Sequence, residues 1–145
     1  MHITCGVCPH HLLLDMNYLD RPNGLLYKMN PPLRPESMRK DMEDMARDDF
    51  IDWFEGDHAP HTLEDKLDPV KKTYASGVPT LAFQPRFVDV LRSRGFTPER
   101  VHTMTFSNIK EAFGEKAKHL ELRACTLDHT LASEYPFDAF KDVNA

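Results

Sequence analysis

The chain has 145 residues, of which 41% are hydrophobic and 28% are charged, and its formal net charge at pH 7 is −5. This composition is typical of a folded domain rather than a disordered chain. The negative net charge, without a basic cluster, argues against nucleic acid as a partner. No apolar run reaches the roughly 18 residues of a membrane span and the first residues form no basic leader, so we expect a cytoplasmic protein.

The first half of the chain predicts a strand, a loop and a helix, in that order. Alternating and β-branched residues predict a strand over residues 3–7. Residues 15–35 are rich in Asp, Asn and Pro and predict an ordered loop. A helix is predicted to begin near Glu36. Its core face is expected to consist of the regularly spaced Met38, Met42, Met45 and Ala46.

The second half continues the alternation of strands and helices that is typical of parallel α/β proteins. An aromatic run predicts a buried strand over residues 50–54, and the charged segment 62–76 is expected to be a loop. The remaining predicted elements are helices over residues 83–95, from 97 to about 104 and over 107–113, a strand over 120–125, and an irregular tail.

The densest group of chemically capable residues is the segment 56–61, with the sequence GDHAPH. It directly follows the aromatic strand, and ligand sites of parallel α/β folds lie at the carboxyl ends of strands. There Asp57 could bind a metal through one oxygen and take a proton through the other. The alternative is a polar loop in which the aspartate only caps a turn.

A second group begins at Cys5 and Cys8 and continues into His10 and His11. This C-x-x-C opening could be a redox pair or, with the histidines, a zinc site. A redox pair needs a helix directly after it, and no helix is expected from Pro9 onward. A structural zinc site needs a second ligand pair, which the chain lacks. Buried strand thiols are the third interpretation.

A third group is the segment 28–34, with the sequence KMNPPLR. Its two prolines hold the backbone extended and would present the Asn30 amide as a rigid donor and acceptor pair. Such an amide matches the edge of a cyclic amide or imide. The alternative is a plain extended connection.

Taken in order, the motifs PHHLLL, KMNPPLR, GDHAPHTLEDK and SGVP resemble the C-terminal half of a type I dihydroorotase, in the cyclic amidohydrolase superfamily. The resemblance covers about residues 2–114, and residues 135–138 are similar to the family's T-P-F-D/E. It implies an α/β fold, the C-terminal part of a metal-dependent (β/α)₈ TIM-type barrel over residues 1–114, with a strand and tail over 115–145. At 145 residues the barrel would be incomplete, because a whole one needs about 250.

The resemblance also implies a reaction and its residues. The family interconverts carbamoyl-aspartate and dihydroorotate in pyrimidine biosynthesis with one or two zinc ions. By motif, Asp57 is a metal ligand and the general base or acid. Asn30 and His61 bind the substrate, and Ser76 and Gly77 are expected to offer backbone contacts.

Several departures from the family pattern limit what this chain is expected to do alone. The family's H-x-H pair, its carboxylated Lys or bridging Asp, and two further His ligands have no counterpart here. His10 and His11 match a P-H-H that is not among the metal ligands, and Gly6 replaces an acidic residue. Because one aspartate cannot hold zinc, we expect competence only with the missing N-terminal half.

Other functions remain open from the sequence. The chain could be a noncatalytic dihydroorotase-like partner of aspartate carbamoyltransferase, or part of another cyclic amidohydrolase such as an allantoinase or hydantoinase. A small C-x-x-C redox module is a further possibility. The expected partners are a small-molecule substrate and the missing barrel half, with a homodimer or an aspartate carbamoyltransferase complex also open. Neither nucleic acid nor a membrane is expected.

Overall fold

A computed structural model describes residues 3–70, 74–121 and 135–144. Its sheet consists of two parallel strands, β1 (Gly6–Val7) and β2 (Trp53–Phe54), with Gly6 opposite Trp53 and Val7 opposite Phe54. Each forms only at the carboxyl end of the segment predicted for it. Phe50 is 69% exposed, so the prediction of a buried strand over 50–54 is wrong at its start.

Two helices, α1 (Pro9–Leu13) and α2 (Glu36–Arg47), connect β1 to β2. The expectation of no helix after Pro9 is wrong. Cys8 is the N-cap residue of α1, and Pro9 stands at its first position, where a missing N–H costs nothing. Between the helices, residues 15–35 form the expected loop, which includes two 3₁₀ turns, Met16–Tyr18 and Gly24–Tyr27.

Helix α2 turns a different face to the core from the one that its methionines predict. Ala46 is buried as expected, and Met42 is partly buried against the core. Met38 and Met45 are 52% and 46% exposed, so the prediction of a methionine core face is wrong for these two.

The buried face of α2 carries Glu43, and the carboxylate of this residue accepts hydrogen bonds from three arginines. The donors are Arg39 at 2.7 Å, Arg94 at 2.8 Å and Arg47 at 3.2 Å. An acid with this many cationic partners can be buried without an unpaired charge. The ion-pair cluster therefore rotates the methionines away from the core.

The regular elements of the described chain after β2 are helices and helical turns. A capping box of Thr62 and Asp65 starts α3 (Leu63–Leu67), inside the segment expected to be a loop, so that prediction is wrong there. The three later helices begin and end close to their predicted limits. They are α4 (Gln84–Ser93), α5 (Pro98–His102) and α6 (Asn108–Phe113), with a 3₁₀ turn at Leu81–Phe83 before α4, a π-turn at Thr103–Ser107 before α6 and a 3₁₀ turn at Gly114–Ala117 after it.

Residues 135–144 pack onto the start of α4. Phe140 is fully buried and stacks on Phe83 with ring centroids 4.1 Å apart, and Arg86 donates to the carbonyl oxygens of Phe140 and Val143. The predicted strand over 120–125 lies mostly outside the described residues. The predicted division at residue 114 stays a prediction.

No helix in the described part of the chain combines the length and the apolar character that crossing a bilayer requires.

Candidate metal and substrate site

The candidate site lies where both parallel strands end. Cys8 directly follows β1, and Asp57 comes three residues after the end of β2. The pairing continues past the strands, because the Glu55 N–H donates to the Val7 carbonyl oxygen at 2.9 Å. Since parallel strands end at the same edge of a sheet, this pairing brings the two residues together.

The backbone of Asp57 has a left-handed conformation, with φ of 41°. Residues other than glycine adopt this region at a cost of about 1–3 kcal/mol, and asparagine and aspartate tolerate it best. The conformation turns the chain sharply after β2, and the Asp57 side chain is 57% exposed. The carboxylate is therefore open to a ligand.

Cys8, His10 and Asp57 form a cluster of potential metal ligands. One ligand atom from each residue, a sulfur, a ring nitrogen and a carboxylate oxygen, lies within 4.8 Å of the other two. His10 Nε2 is 3.6 Å from Asp57 Oδ2, longer than a hydrogen bond. These are donor types that zinc takes in proteins, so the cluster fits the metal that the family resemblance implies.

The protonation states in the cluster are set mainly by burial. Burial, helped by the charge of His11, lowers the pKa of His10 to about 4, although Asp57 opposes the shift. His10 is therefore neutral near pH 7 and carries a nitrogen lone pair. Burial and the charges of Asp57 and Glu55 raise the pKa of Cys8 to about 11. A redox thiol needs a lowered pKa, so this environment argues against the redox interpretation.

Cys5 has a different environment from Cys8 and is not part of this cluster. It is exposed, its N–H donates to Asp52 Oδ2 at 2.7 Å, and its thiol donates to the carbonyl oxygen of Phe50 at 3.4 Å. The interpretation of both cysteines as buried strand thiols is wrong, because Cys5 is exposed, Cys8 is half-buried, and both lie just outside β1.

Glu55 occupies the space that a side chain at Gly6 would take. A Cβ atom at Gly6 would lie 2.3 Å from Glu55 Oε1, which also accepts a hydrogen bond from the Trp53 indole at 2.9 Å. A side chain at Gly6 would therefore displace Glu55.

His61 and Ser76, two predicted substrate residues, are in contact. His61 Nε2 donates to the Ser76 carbonyl oxygen at 3.0 Å. Gly77 adopts φ of 113°, and its N–H donates to the Lys28 carbonyl oxygen at 2.9 Å. A Cβ at Gly77 would lie 2.4 Å from the Ala59 side chain, so glycine is required there on both counts.

Lys66 joins the segments that carry the predicted substrate residues. It is completely buried, and its ammonium donates to the carbonyl oxygens of Gly77 at 2.6 Å and Lys28 at 3.0 Å. Burial and the charge of Lys28 lower its pKa to about 8. Asn30, two residues beyond Lys28, is exposed next to a cis peptide bond with Pro31.

His58 holds the loop after β2 against the segment before α4. Its Nδ1 accepts from the N–H groups of Thr80 at 2.9 Å and Leu81 at 3.2 Å. The proton of the neutral ring is thus on Nε2, which donates to the Tyr135 hydroxyl at 3.1 Å. This histidine, adjacent to Asp57, is occupied in positioning the loop.

A pocket of about 210 Å³ opens beside Cys8 and is lined also by His11, Pro31 and Arg34. Burial lowers the pKa of His11, Asp57 opposes this shift and Arg34 adds to it. A guanidinium at the rim suits an anionic group such as a carboxylate. Sequence reasoning did not assign a role to Arg34, although it ends the KMNPPLR motif.

Sequence reasoning also missed Cys8 and His10 as neighbours of Asp57. The available signal was the position of each segment after a predicted parallel strand. Asp57, His61, Ser76 and Gly77 belong to two adjoining loops in the structure. The roles predicted for them and for Asn30 stay predictions.

Comparison of the sequence with known proteins gives relatives that are named as dihydroorotases. No family model matches the chain. A dihydroorotase of Ligilactobacillus salivarius is 34% identical over 116 residues, which is 79% of this chain and 27% of that protein. One of Staphylococcus aureus is 44% identical over 73 residues, which is 50% of this chain and 17% of that protein. The chain thus spans about a quarter or less of these relatives.

Solved structures give the fold. A D-hydantoinase (dihydropyrimidinase) from Thermus sp. matches with a TM-score of 0.68 and 26% identity, over 77% of this chain and 26% of that one. A dihydropyrimidinase from Brevibacillus agri matches with a TM-score of 0.68 and 19% identity, over the same shares. Both are TIM-barrel amidohydrolases, so the prediction of a partial barrel is confirmed.

Proposed function

This chain resembles part of a dihydroorotase and has the fold of part of a cyclic amidohydrolase barrel, and from that premise we propose that it supplies the general base and substrate contacts of a ring-opening enzyme. The substrate class is a cyclic amide such as dihydroorotate, made from carbamoyl-aspartate. The observation that supports this most is Asp57, an exposed carboxylate with a left-handed backbone at the carboxyl end of β2.

Asp57 performs the proton transfers of the proposed reaction. One oxygen would hold a zinc ion, which supplies the positive charge that makes water acidic near neutral pH. The other oxygen accepts a proton from the attacking water, whose oxygen bonds to the ring carbonyl carbon. The ring C–N bond then breaks, and Asp57 returns the proton to the leaving nitrogen. The same steps in reverse close the ring.

His61, Asn30 and Arg34 orient the substrate in this proposal. His61 Nε2 donates to Ser76, which leaves Nδ1 for the substrate. That atom accepts from an amide N–H when the ring is neutral and donates to a carboxylate when it is protonated. The exposed Asn30 amide pairs with the ring amide edge, and Arg34 attracts a substrate carboxylate. Contacts from Ser76 and Gly77 are part of the proposal.

The remaining metal ligands, including an H-x-H pair, come from a second polypeptide segment in this proposal. The test is to co-express this chain with the H-x-H-bearing part of the Ligilactobacillus dihydroorotase and to follow dihydroorotate by ultraviolet absorbance. Metal-dependent ring opening is expected. Asp57→Asn should lower its rate by about 100-fold or more. Asp41→Asn, an exposed carboxylate of α2, is the matched control and should keep the rate.

Full activity in Asp57→Asn would contradict the assignment of the base. A complex that forms without ring opening in any variant would favour a noncatalytic partner instead, and aspartate carbamoyltransferase should be added to that assay. The similarity to hydantoinase structures favours a second substrate class, so hydantoin, dihydrouracil and allantoin belong in the same panel. A homodimer and a cytoplasmic location stay predictions.

A further inference from the structure

The ends of two parallel strands bring a thiol, an imidazole and a carboxylate to one point. We propose that Cys8, His10 and Asp57 together bind one divalent cation of the zinc class, so that this chain holds a metal without ligands from another polypeptide. The inference extends the proposed function, which already uses Asp57, by adding Cys8 and His10 as ligands.

The spacing of the three atoms is close to that of a filled site. Ligand atoms of tetrahedral zinc lie roughly 3.3–3.6 Å apart, as metal–ligand distances of about 2.0–2.3 Å require. His10 Nε2 and Asp57 Oδ2 are 3.6 Å apart, and all three ligand atoms lie within 4.8 Å of one another. A closure of at most about 1.5 Å completes the site, and the exposed Asp57 side chain has room to move.

His10 is the observation that points to a ligand. Its side chain is 1% exposed, and its Nδ1 has no hydrogen-bond partner among the described residues. Its Nε2 lies beyond hydrogen-bond distance of Asp57. Burying a polar ring costs free energy, and a cation on Nε2 would give that nitrogen a partner, with the ring proton then on Nδ1.

Cys8 determines which metal the site takes. A thiolate selects zinc and cobalt over magnesium and calcium, which take oxygen ligands. On binding, the sulfur–metal bond replaces the S–H bond, and the proton passes to solvent. Three protein ligands leave the fourth position of a tetrahedral ion open to water in this chain alone, or to a ligand from the second segment of the proposed function.

Cobalt titration of the reduced, chelator-treated chain tests the proposal, because thiolate ligation gives Co²⁺ an intense near-ultraviolet absorption band. One Co²⁺ per chain with this band is expected, and Zn²⁺ should displace it. Cys8→Ser should abolish the band and weaken binding more than about 100-fold. Cys5→Ser, with an exposed thiol three residues away, is the matched control and should keep both.

His10→Gln and Asp57→Asn extend the test to the other ligands, with circular dichroism to confirm folding. Each should weaken Co²⁺ binding by at least about 10-fold, and Asp57→Asn covers the case in which the buried histidine variant does not fold. The proposal is overturned if wild type shows no thiolate band, if the band survives Cys8→Ser, or if Asp57→Asn binds as tightly as wild type.

Metal binding and ring opening can fail separately. A chain that binds no Co²⁺ alone but opens rings in an Asp57-dependent way with its partner segment refutes this inference and leaves the proposed function intact. A chain that shows the thiolate band but supports no ring opening with its partner segment supports this inference and refutes the proposed function.

Discussion

Two polar clusters in the described part of the chain, one around Glu43 and one around His10, differ in how well their buried groups are partnered. Glu43 on α2 accepts hydrogen bonds from three arginines. His10, which is more completely buried and lies beside the ends of β1 and β2, has a nitrogen, Nδ1, with no partner in the described part of the chain. Arg47 Nε, in the first cluster, also lacks a partner, so a missing partner alone does not mark a site. What distinguishes the second cluster as a place for a ligand is its donor set, in which a thiol and a carboxylate lie beside His10.

Backbone strain follows the same division. Asp57, next to His10, has a positive φ, whereas Glu43 lies inside a regular helix. The strained residue is also the exposed one. Three measurements test this distinction between a structural cluster and a site.

The largest effect is expected from Glu43→Ala. The substitution leaves Arg39 and Arg94 facing each other without their shared acid, so the free energy of unfolding should fall by about 3–5 kcal/mol. Urea denaturation followed by circular dichroism measures this change. Glu36→Ala, which removes an exposed partner of Lys40 on the same helix, should leave the urea midpoint unchanged.

If the free energy of unfolding fell by less than about 1 kcal/mol in Glu43→Ala, the ion pairs of Glu43 would not stabilise the fold. The Glu43 cluster could then not be called structural.

An intermediate effect is expected from Lys66, a buried charge that has partners but joins segments of the site. Its pKa is 10.5 in an unfolded chain and about 8 in the fold. Between these values the unfolded chain binds more protons, so stability should rise from pH 8 to 10.5 by up to about 1.4 kcal/mol per pH unit. Denaturation across this range measures the slope.

Lys66→Met should remove this part of the slope, because the other titrating groups are common to both proteins. Identical slopes in the two proteins would show that Lys66 titrates normally, and that its carbonyl partners offset its burial.

The smallest effect is expected from Asp57→Gly. Glycine adopts a positive φ without strain, and the loss of the carboxylate removes a negative charge near Cys8. Relief of the backbone strain and of the charge repulsion stabilises the folded state, whereas the greater conformational freedom of glycine stabilises the unfolded chain. Because these effects oppose each other, the free energy of unfolding should stay within about 1 kcal/mol of wild type. Thermal unfolding measures it. A loss above about 2 kcal/mol would place Asp57 among the structural residues.

Much of the helical part of the fold could be predicted from local signals. Thr97 caps α5 and Pro98 follows it, and Gly95 adopts the positive φ expected after α4. The face of α2 could not be predicted, because it depends on Arg94, 51 residues from Glu43. Periodicity reports which residues share a face, but not whether arginines from elsewhere will neutralise an acid on it.

The candidate site was predictable in its loops but not in its contacts. The segment that holds Asp57 and His61 was identified from its place after a strand. The approach of Cys8 and His10 to Asp57 depends on the parallel register of β1 and β2, 47 residues apart. A sequence shows that each strand ends in polar residues, whereas only pairing shows that the ends are neighbours.

The hydrogen bond between His58 and Tyr135 has a consequence for the order in which the molecule is completed. The two residues are 77 positions apart, so at about 5–20 residues per second a ribosome adds the tyrosine roughly 4–15 seconds after the histidine. Helices α1 to α4 exist in the chain by then and can pack. The loop after β2 can therefore form its hydrogen bond to Tyr135 only after much of the core has had time to form.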